Sequence, residues 1–179
     1  MIQITKEMLE KNPDIVPDIF LGGTTGLNQD DWDWRRDLIQ KIEMLNEKMY
    51  GNLTYFDPFL RPWETDEDWD EDFQALENKV KAVVPLMIFV LNSDINGLYS
   101  IEEITEFLCR RDSDNICPSN ICVAVIDHKK SFTESTKRSL DACMRRWSDL
   151  HCTCTTSLDG IVSWLHRHPV PWVLDRYNG

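Results

Sequence analysis

The sequence lacks the features that mark several large classes of protein. No apolar run is long enough to cross a membrane, and the N-terminus, MIQITKEMLEKNPD, has no apolar stretch of signal-peptide length. Lysine and arginine form no dense cluster in a chain of net charge -12, which disfavours DNA, RNA and anionic membranes as partners. Neither a GxGxxG motif nor a phosphate-binding loop with its lysine is present. A soluble, cytoplasmic protein with a small-molecule ligand is therefore expected.

Cysteine is more frequent than such a compartment would suggest, with six residues in 179. Without an export signal, we interpret them as reduced thiols that serve mostly as small core residues. One arrangement, His151-Cys152-Thr153-Cys154, resembles part of a metal site. It has no second pair at zinc-like spacing, and the alternation fits a short strand. We therefore predict no metal and no cofactor.

Strand and helix signals alternate along the chain. With 42% hydrophobic residues, the chain is expected to form one domain over 1–179, with a helical lead-in at 1–14 and a C-terminal tail at 169–179. Five strands separated by helices are predicted at 15–21, 53–56, 86–91, 121–126 and 151–155. Pro17 indicates that regular pairing of the first strand begins after it. This pattern predicts a flavodoxin-like, three-layer α/β/α fold with a five-stranded parallel sheet in the order 2-1-3-4-5.

The third strand and the helix after it contain the most informative stretch, PLMIFVLNSDINGLYSIEEITEFLC. Its apolar run is typical of a parallel strand that is covered on both faces. Ser100 and Glu103 have the spacing of a capping box, in which both side chains satisfy amide groups at a helix start. Carboxylates at this end of a parallel strand also lie where open α/β sheets bind ligands. Glu103 is therefore either only a cap or part of a site.

Two other segments are expected to border that site. The loop Gly22-Gly23-Thr24-Thr25-Gly26 lets the backbone approach a ligand closely, and the predicted strand order places it across one cleft from residues 92–103. Residues 57–72 hold two prolines, two tryptophans and eight acidic groups. A long loop of this kind is either an active-site lid or partner surface, or a solvated acidic segment whose tryptophans dock on the core.

Three short motifs follow the first three predicted strands: Phe20-Leu21-Gly22-Gly23, then Asp57-Pro58, then Ser100-Ile101-Glu102-Glu103-Ile104. Together with an early helix entered through Asp-Trp residues, they resemble the nucleoside 2-deoxyribosyltransferase family over roughly residues 15–126. The resemblance implies a flavodoxin-like fold and a glutamate nucleophile, which falls on Glu103. It also implies relatives that hydrolyse N-glycosidic bonds of nucleotides.

On this resemblance, Glu103 is the expected nucleophile, with Glu102 in reserve if the helix starts one residue differently. Asp94 or Asn96 is expected to bind the sugar hydroxyls, and Trp63 or Trp69 to close over the base as an aromatic lid. The remaining expected substrate contacts are Phe20, Gly22, Gly23, Thr24, Asp57 and Ser100. A carboxylate in this position stabilises or attacks the oxocarbenium-like anomeric carbon.

Three functions stay open at this point. The first is exchange of nucleobases on a 2-deoxyribonucleoside, with a free nucleobase as second substrate. The second is an N-glycosidase acting on a nucleotide, in which Arg35, Arg36 or Arg61 would have to reach the phosphate. The third is a non-catalytic nucleotide-binding or protein-interaction module, since Gly97-Leu98-Tyr99 replaces the family's usual Asp-x-Gly and Thr105 its small residue.

The resemblance also suggests a homo-oligomer in which a neighbouring subunit completes the pocket. The C-terminal tail PVPWVLDRYNG, with Trp172 and Tyr177, is one segment that would contribute. The alternative is a tail that packs on its own domain.

Overall fold

A computed structural model describes residues 1–26, 28, 30–46, 53–59, 71–95, 97–114 and 120–168. Trp63, Trp69, Asn96, Arg61 and the tail at 169–179 lie outside the described residues, so the predictions for them stay predictions. The strands are β1 (Ile2–Gln3), β2 (Ile19–Gly23), β3 (Thr54–Phe56), β4 (Leu86–Asn92), β5 (Asn120–Ile126) and β6 (Thr153–Thr155). The helices are α1 (Lys6–Lys11), α2 (Trp34–Asn46), α3 (Glu71–Val83), α4 (Leu98–Asp114), α5 (Glu134–Asp149) and α6 (Leu158–Arg167).

The six strands form one all-parallel sheet in the order β1-β3-β2-β4-β5-β6. The predicted α/β fold with a parallel sheet is confirmed in general kind, but the sheet has six strands instead of five, so its full order differs from 2-1-3-4-5 by an added edge strand. The sixth strand, β1, lies within the segment predicted as a helical lead-in and pairs with β3 at the sheet edge. Its two residues are too few to show the alternation from which a strand is predicted. The other five strands run β3-β2-β4-β5-β6.

Helices cover both faces of this sheet. One face packs on α2 and α6 through side chains such as Trp34, Leu38 and Trp164. The other face packs on α1, α3, α4 and α5, with Val80 and Leu108 among the contacts. Every residue of the central strand β4 is buried, as expected for a parallel strand covered on both sides.

The starts of α4 and β2 can be compared with the boundaries predicted from the sequence. Helix α4 begins at Leu98, and its first helical hydrogen bond runs from the Ile101 amide to the Gly97 carbonyl at 3.1 Å. Ser100 therefore lies inside the helix, and the predicted capping box with Glu103 is wrong, because the helix starts three residues earlier than a cap at Ser100 would give. Strand β2 begins only at Ile19, after Pro17, as predicted.

Neither a membrane-spanning helix nor a metal-binding cluster occurs in the described part of the chain. Within it, no helix has the length and apolar character needed to cross a membrane. In the same ranges, no group of three or more His, Cys, Asp or Glu side chains is arranged to hold a metal ion. The two thiols considered as metal ligands make weak bonds to backbone oxygens, Cys152 Sγ to Ile121 and Cys154 Sγ to Met144, each at 3.5 Å.

Candidate active site

A cavity of about 540 Å³ opens where β2 and β4 end. The strand order reverses between these two strands, which is the position at which open α/β sheets bind their ligands. Its volume falls within the usual range for small-molecule sites. The lining residues are Gly22, Gly23, Thr24, Thr25, Arg35, Pro58, Phe59, Glu77, Ile95, Gly97, Tyr99, Ser100 and Glu103. The glycine loop and the start of α4 therefore face the same space.

The glycine loop lies directly against β4. Gly23 has a φ of 118°, and a side chain there would overlap the backbone of Val90, so this close approach requires glycine. Just beyond it, the Thr24 hydroxyl donates to the Val90 carbonyl at 3.2 Å and accepts from Asn92 Nδ2 at 2.8 Å. These contacts fix one wall of the cavity to the central strand.

A buried ion pair supports the same loop from behind. The side chains of Arg35 and Asp57 are each 2% exposed, and Arg35 Nε lies 3.0 Å from Asp57 Oδ1. The guanidinium also donates to the carbonyls of Thr24 at 3.1 Å and Gly23 at 3.4 Å. Asp57 itself does not line the cavity, and its contact with the substrate stays a prediction. It holds the arginine that shapes the loop.

Glu103 contacts a charged cluster instead of capping its helix. Lys81 lies on α3 with its side chain 3% exposed, and its Nζ is 2.5 Å from Glu77 Oε1. The same Nζ contacts Glu103 Oε1 and lies 5.0 Å from the centre of the Phe20 ring. Both carboxylates line the cavity, whereas the lysine lies behind them.

Burial and charge act in opposite directions on this cluster. Burial raises the pKa of Glu103 above its usual 4.5, Lys81 opposes the rise, and the nearby Glu77 and Glu106 add to it. Burial alone would lower the pKa of Lys81, but Glu103 and Glu77 outweigh it and raise that pKa above 10.5. The lysine is therefore a cation between two carboxylates, and it is the group that favours the ionised form of Glu103.

Five of the predicted site residues line the cavity: Gly22, Gly23, Thr24, Ser100 and Glu103. Glu102, the reserve nucleophile, is exposed and lies outside the lining, because α4 turns its neighbour inward instead. The ring of Phe20 was predicted to line the base and does not. It is fully buried in the core, 6.1 Å from the ring centre of Phe89 and 6.3 Å from that of Phe56.

Asp94 was predicted to bind the sugar, but the structure gives its carboxylate other partners. Asp94 Oδ2 lies 2.7 Å from His128 Nδ1, and Oδ1 accepts from the Lys130 amide at 3.0 Å. The His128 ring stacks on Trp32 with 4.2 Å between centres. Asp94 does not line the cavity, and its contact with the sugar stays a prediction. It joins the loops that follow β4 and β5.

Sequence reasoning missed two charged residues of the site, Glu77 and Lys81. Both lie on α3 at four-residue intervals from Phe73, which is buried. A residue four or eight positions along a helix lies on the same face. That spacing was the available signal, and it places a glutamate and a lysine beside the buried stripe.

Comparison with known proteins does not add a family. The chain matches no protein-family model and no curated protein. The geometry and chemistry of this cavity are therefore the basis for a proposed function.

Proposed function

We propose that this protein exchanges nucleobases on 2-deoxyribonucleosides, in the manner of the nucleoside 2-deoxyribosyltransferases, with Glu103 as nucleophile. The observation that carries the proposal is the position of the Glu103 carboxylate. It lies in the wall of a cavity of about 540 Å³ at the point where the strand order reverses, beside a second carboxylate. Base exchange uses both carboxylates, one to attack the sugar and one to transfer a proton.

The reaction needs one carboxylate that attacks and one group that handles a proton. Glu103 attacks the anomeric carbon as the bond to the base breaks, which gives a glycosyl ester, and the departing base takes up a proton. A second nucleobase then attacks the ester, loses a proton and restores the Glu103 carboxylate. Glu77 is the second carboxylate in the lining, and we assign it both transfers: it takes the proton that the second base loses and gives it to the base that departs in the next turnover.

The spacing of the two carboxylates supports a covalent route. Glu77 and Glu103 both contact the same atom, Lys81 Nζ. Their carboxyl groups are therefore close together, as in retaining glycosidases, where the two groups are about 5 Å apart and one of them acts as nucleophile. Inverting enzymes use a wider separation that leaves room for a water molecule.

Nucleosides fit the described residues better than nucleotides. A phosphate would need a cation in reach, and Arg35 already contacts Asp57 and carbonyls of the glycine loop. Arg36 lies 3.4 Å from Asp33 through Nε and Oδ2. The charged groups that remain in the lining, Glu77 and Glu103, would repel a phosphate. A nucleotide N-glycosidase is thus the weaker proposal.

The proposal includes a setting for the enzyme. Cys122, Cys143 and Cys154 are free thiols, which suits the reducing cytosol. Leu98 and Tyr99 are large apolar side chains exposed at the start of α4, and a second copy of the chain would cover them. We therefore keep the homo-oligomer as a proposal, and sedimentation equilibrium at several concentrations tests it.

Chromatography of the products distinguishes the proposed functions. The protein is incubated with deoxynucleosides or deoxynucleotides, with and without a second free base. A new nucleoside that forms only with the acceptor base supports the transferase. Free sugar or sugar phosphate formed without an acceptor supports the glycosidase instead. No turnover across the panel contradicts both and favours a non-catalytic binding module.

The matched variants are Glu103→Gln and Glu102→Gln. The two glutamates are adjacent in α4, but Glu103 lines the cavity and Glu102 is exposed. Loss of one nucleophilic carboxylate is expected to lower kcat by about 10³-fold or more, whereas a surface substitution leaves it nearly unchanged. Equal activity of the two variants would contradict the assignment of Glu103.

A further inference from the structure

Lys81 takes no part in the proposed chemistry, although it contacts both carboxylates that do. Its ammonium group contacts carboxylates from two helices, Glu77 on α3 and Glu103 on α4, and lies over the ring of Phe20 from β2. Its side chain is 3% exposed, and it does not line the cavity. Since both of its carboxylate partners do line the cavity, any effect of Lys81 on a bound molecule passes through them.

We propose that Lys81 is a positioning residue that holds Glu103 ionised and orients its carboxylate for attack on the sugar. The contact occupies Oε1 of Glu103 and leaves Oε2 as the attacking oxygen. The orienting role rests on the proposed function, because it concerns what Glu103 attacks. The effect on the charge of Glu103 does not rest on it and is measured separately.

The surroundings of Glu103 show why a cation is needed there. Burial disfavours its ionised form, and Glu77 and Glu106 add like charge. The phenol of Tyr99, four residues before Glu103 on the same helix, also has a raised pKa, through partial desolvation and then through the charge of Glu103. Of these described neighbours, Lys81 is the one whose charge lowers the pKa of Glu103.

Arg35, the cation that does line the cavity, acts on other groups. The guanidinium of Arg35, on α2, pairs with Asp57 and donates to carbonyls of the glycine loop. Its charge is therefore largely offset where it lies. Removing the charge of Lys81 is expected to leave Glu103 among carboxylates and to raise its pKa by roughly 1–3 units.

Carbon-13 NMR of the glutamate carboxyl groups measures this effect without any substrate. The Glu103 signal is assigned by its loss in Glu103→Gln, and its titration midpoint is followed in Lys81→Met and Lys81→Arg. We expect the midpoint to rise by about 1–3 pH units in Lys81→Met and by less than one in Lys81→Arg, which keeps the charge. An unchanged midpoint in Lys81→Met overturns the proposal.

Lys79→Met is the matched control, because it removes a charge from the same helix. Lys79 is exposed and donates to the Pro13 carbonyl at 3.1 Å, so the Glu103 midpoint should stay as in the wild type. If Lys81→Met does not fold, the Glu103 midpoint is measured in Glu77→Gln and Lys81→Arg instead. Removing the competing carboxylate leaves the ammonium to Glu103, and the midpoint should then fall; a rise or no change overturns the proposal.

The pH dependence of kcat/KM tests the consequence for catalysis. Its acidic limb reports the ionisation of the free enzyme's nucleophile, and it should move to higher pH in Lys81→Met and return in Lys81→Arg. At a pH below the limb, kcat/KM falls about tenfold for each pH unit by which the limb moves upward. If Lys81→Met turns over substrate and its acidic limb stays at the wild-type pH, the role of Lys81 is overturned but the proposed function is not. No turnover in any variant contradicts the proposed function, while the NMR midpoints still decide on Lys81.

Discussion

Replacing Asp57 by asparagine tests the buried ion pair that shapes the cavity. The Arg35 and Asp57 side chains are each 2% exposed, and their Nε and Oδ1 atoms lie 3.0 Å apart. Without the carboxylate charge, a guanidinium stays buried among carbonyls of the glycine loop. Breaking such a pair from one side costs about 3–5 kcal/mol. In a chain of this size each kcal/mol lowers Tm by about 2–4 °C, so the expected loss is roughly 6–20 °C.

Thermal unfolding followed by circular dichroism at pH 7 measures this loss. The control is Glu7→Gln, which breaks the ion pair between Lys11 and Glu7, whose side chains are 74% and 73% exposed. An exposed pair contributes at most about 1 kcal/mol, so Tm of the control should change by no more than about 4 °C. The reasoning is refuted if Asp57→Asn lowers Tm by no more than Glu7→Gln does.

Three further predictions concern the surroundings of the site. Gly23→Ala places a methyl group against the backbone of the next strand, at a residue whose φ is 118°. The free energy of unfolding, measured in urea, should fall by roughly 2–4 kcal/mol, and a wild-type value would contradict this. Burial alone would raise the pKa of Asp94, but hydrogen bonds led by the one from His128 lower it below 3.8. The wild type should therefore be more stable than Asp94→Asn above pH 3.8 and lose that advantage as the pH falls through the lowered pKa; a difference that persists at lower pH would contradict the assignment. Hydrogen bonding by Cys152 outweighs burial and lowers the pKa of Cys154 to about 7, so its alkylation by iodoacetamide, mapped by peptide mass spectrometry, should be half-maximal near pH 7 rather than near 9.

The elements that the sequence predicts well are those with a strong local signal. The apolar run of β4 and the polar turn after it define the central strand and its carboxyl end, and every residue of β4 is buried. The Gly22-Gly23 pair likewise indicates close approach of the backbone, and the structure places it against Val90. Such features depend on a few neighbouring residues, which a sequence shows directly.

The parts that sequence reasoning missed depend on contacts between distant segments. Lys81 and Glu103 are 22 residues apart and meet only because α3 and α4 pack on the same face of the sheet. Asp94 and His128 are 34 residues apart and join the loops after two neighbouring strands. A periodic pattern shows which face of a helix is buried but not which charged side chains meet there. The capping-box prediction failed for another reason, since α4 begins at Leu98 and Ser100 lies inside the helix.

The central claim is that Glu103 becomes covalently bound to the sugar. A deoxynucleoside that carries fluorine at the 2 position is the probe, because the fluorine slows breakdown of a glycosyl ester by destabilising the oxocarbenium-like transition state. After incubation, intact-mass and peptide mass spectrometry should show one added fluorinated sugar on the peptide that contains Glu103. The addition should be absent in Glu103→Gln and present in Glu102→Gln. A sugar attached to another residue, or turnover of deoxynucleosides by Glu103→Gln at the wild-type rate, would contradict the claim.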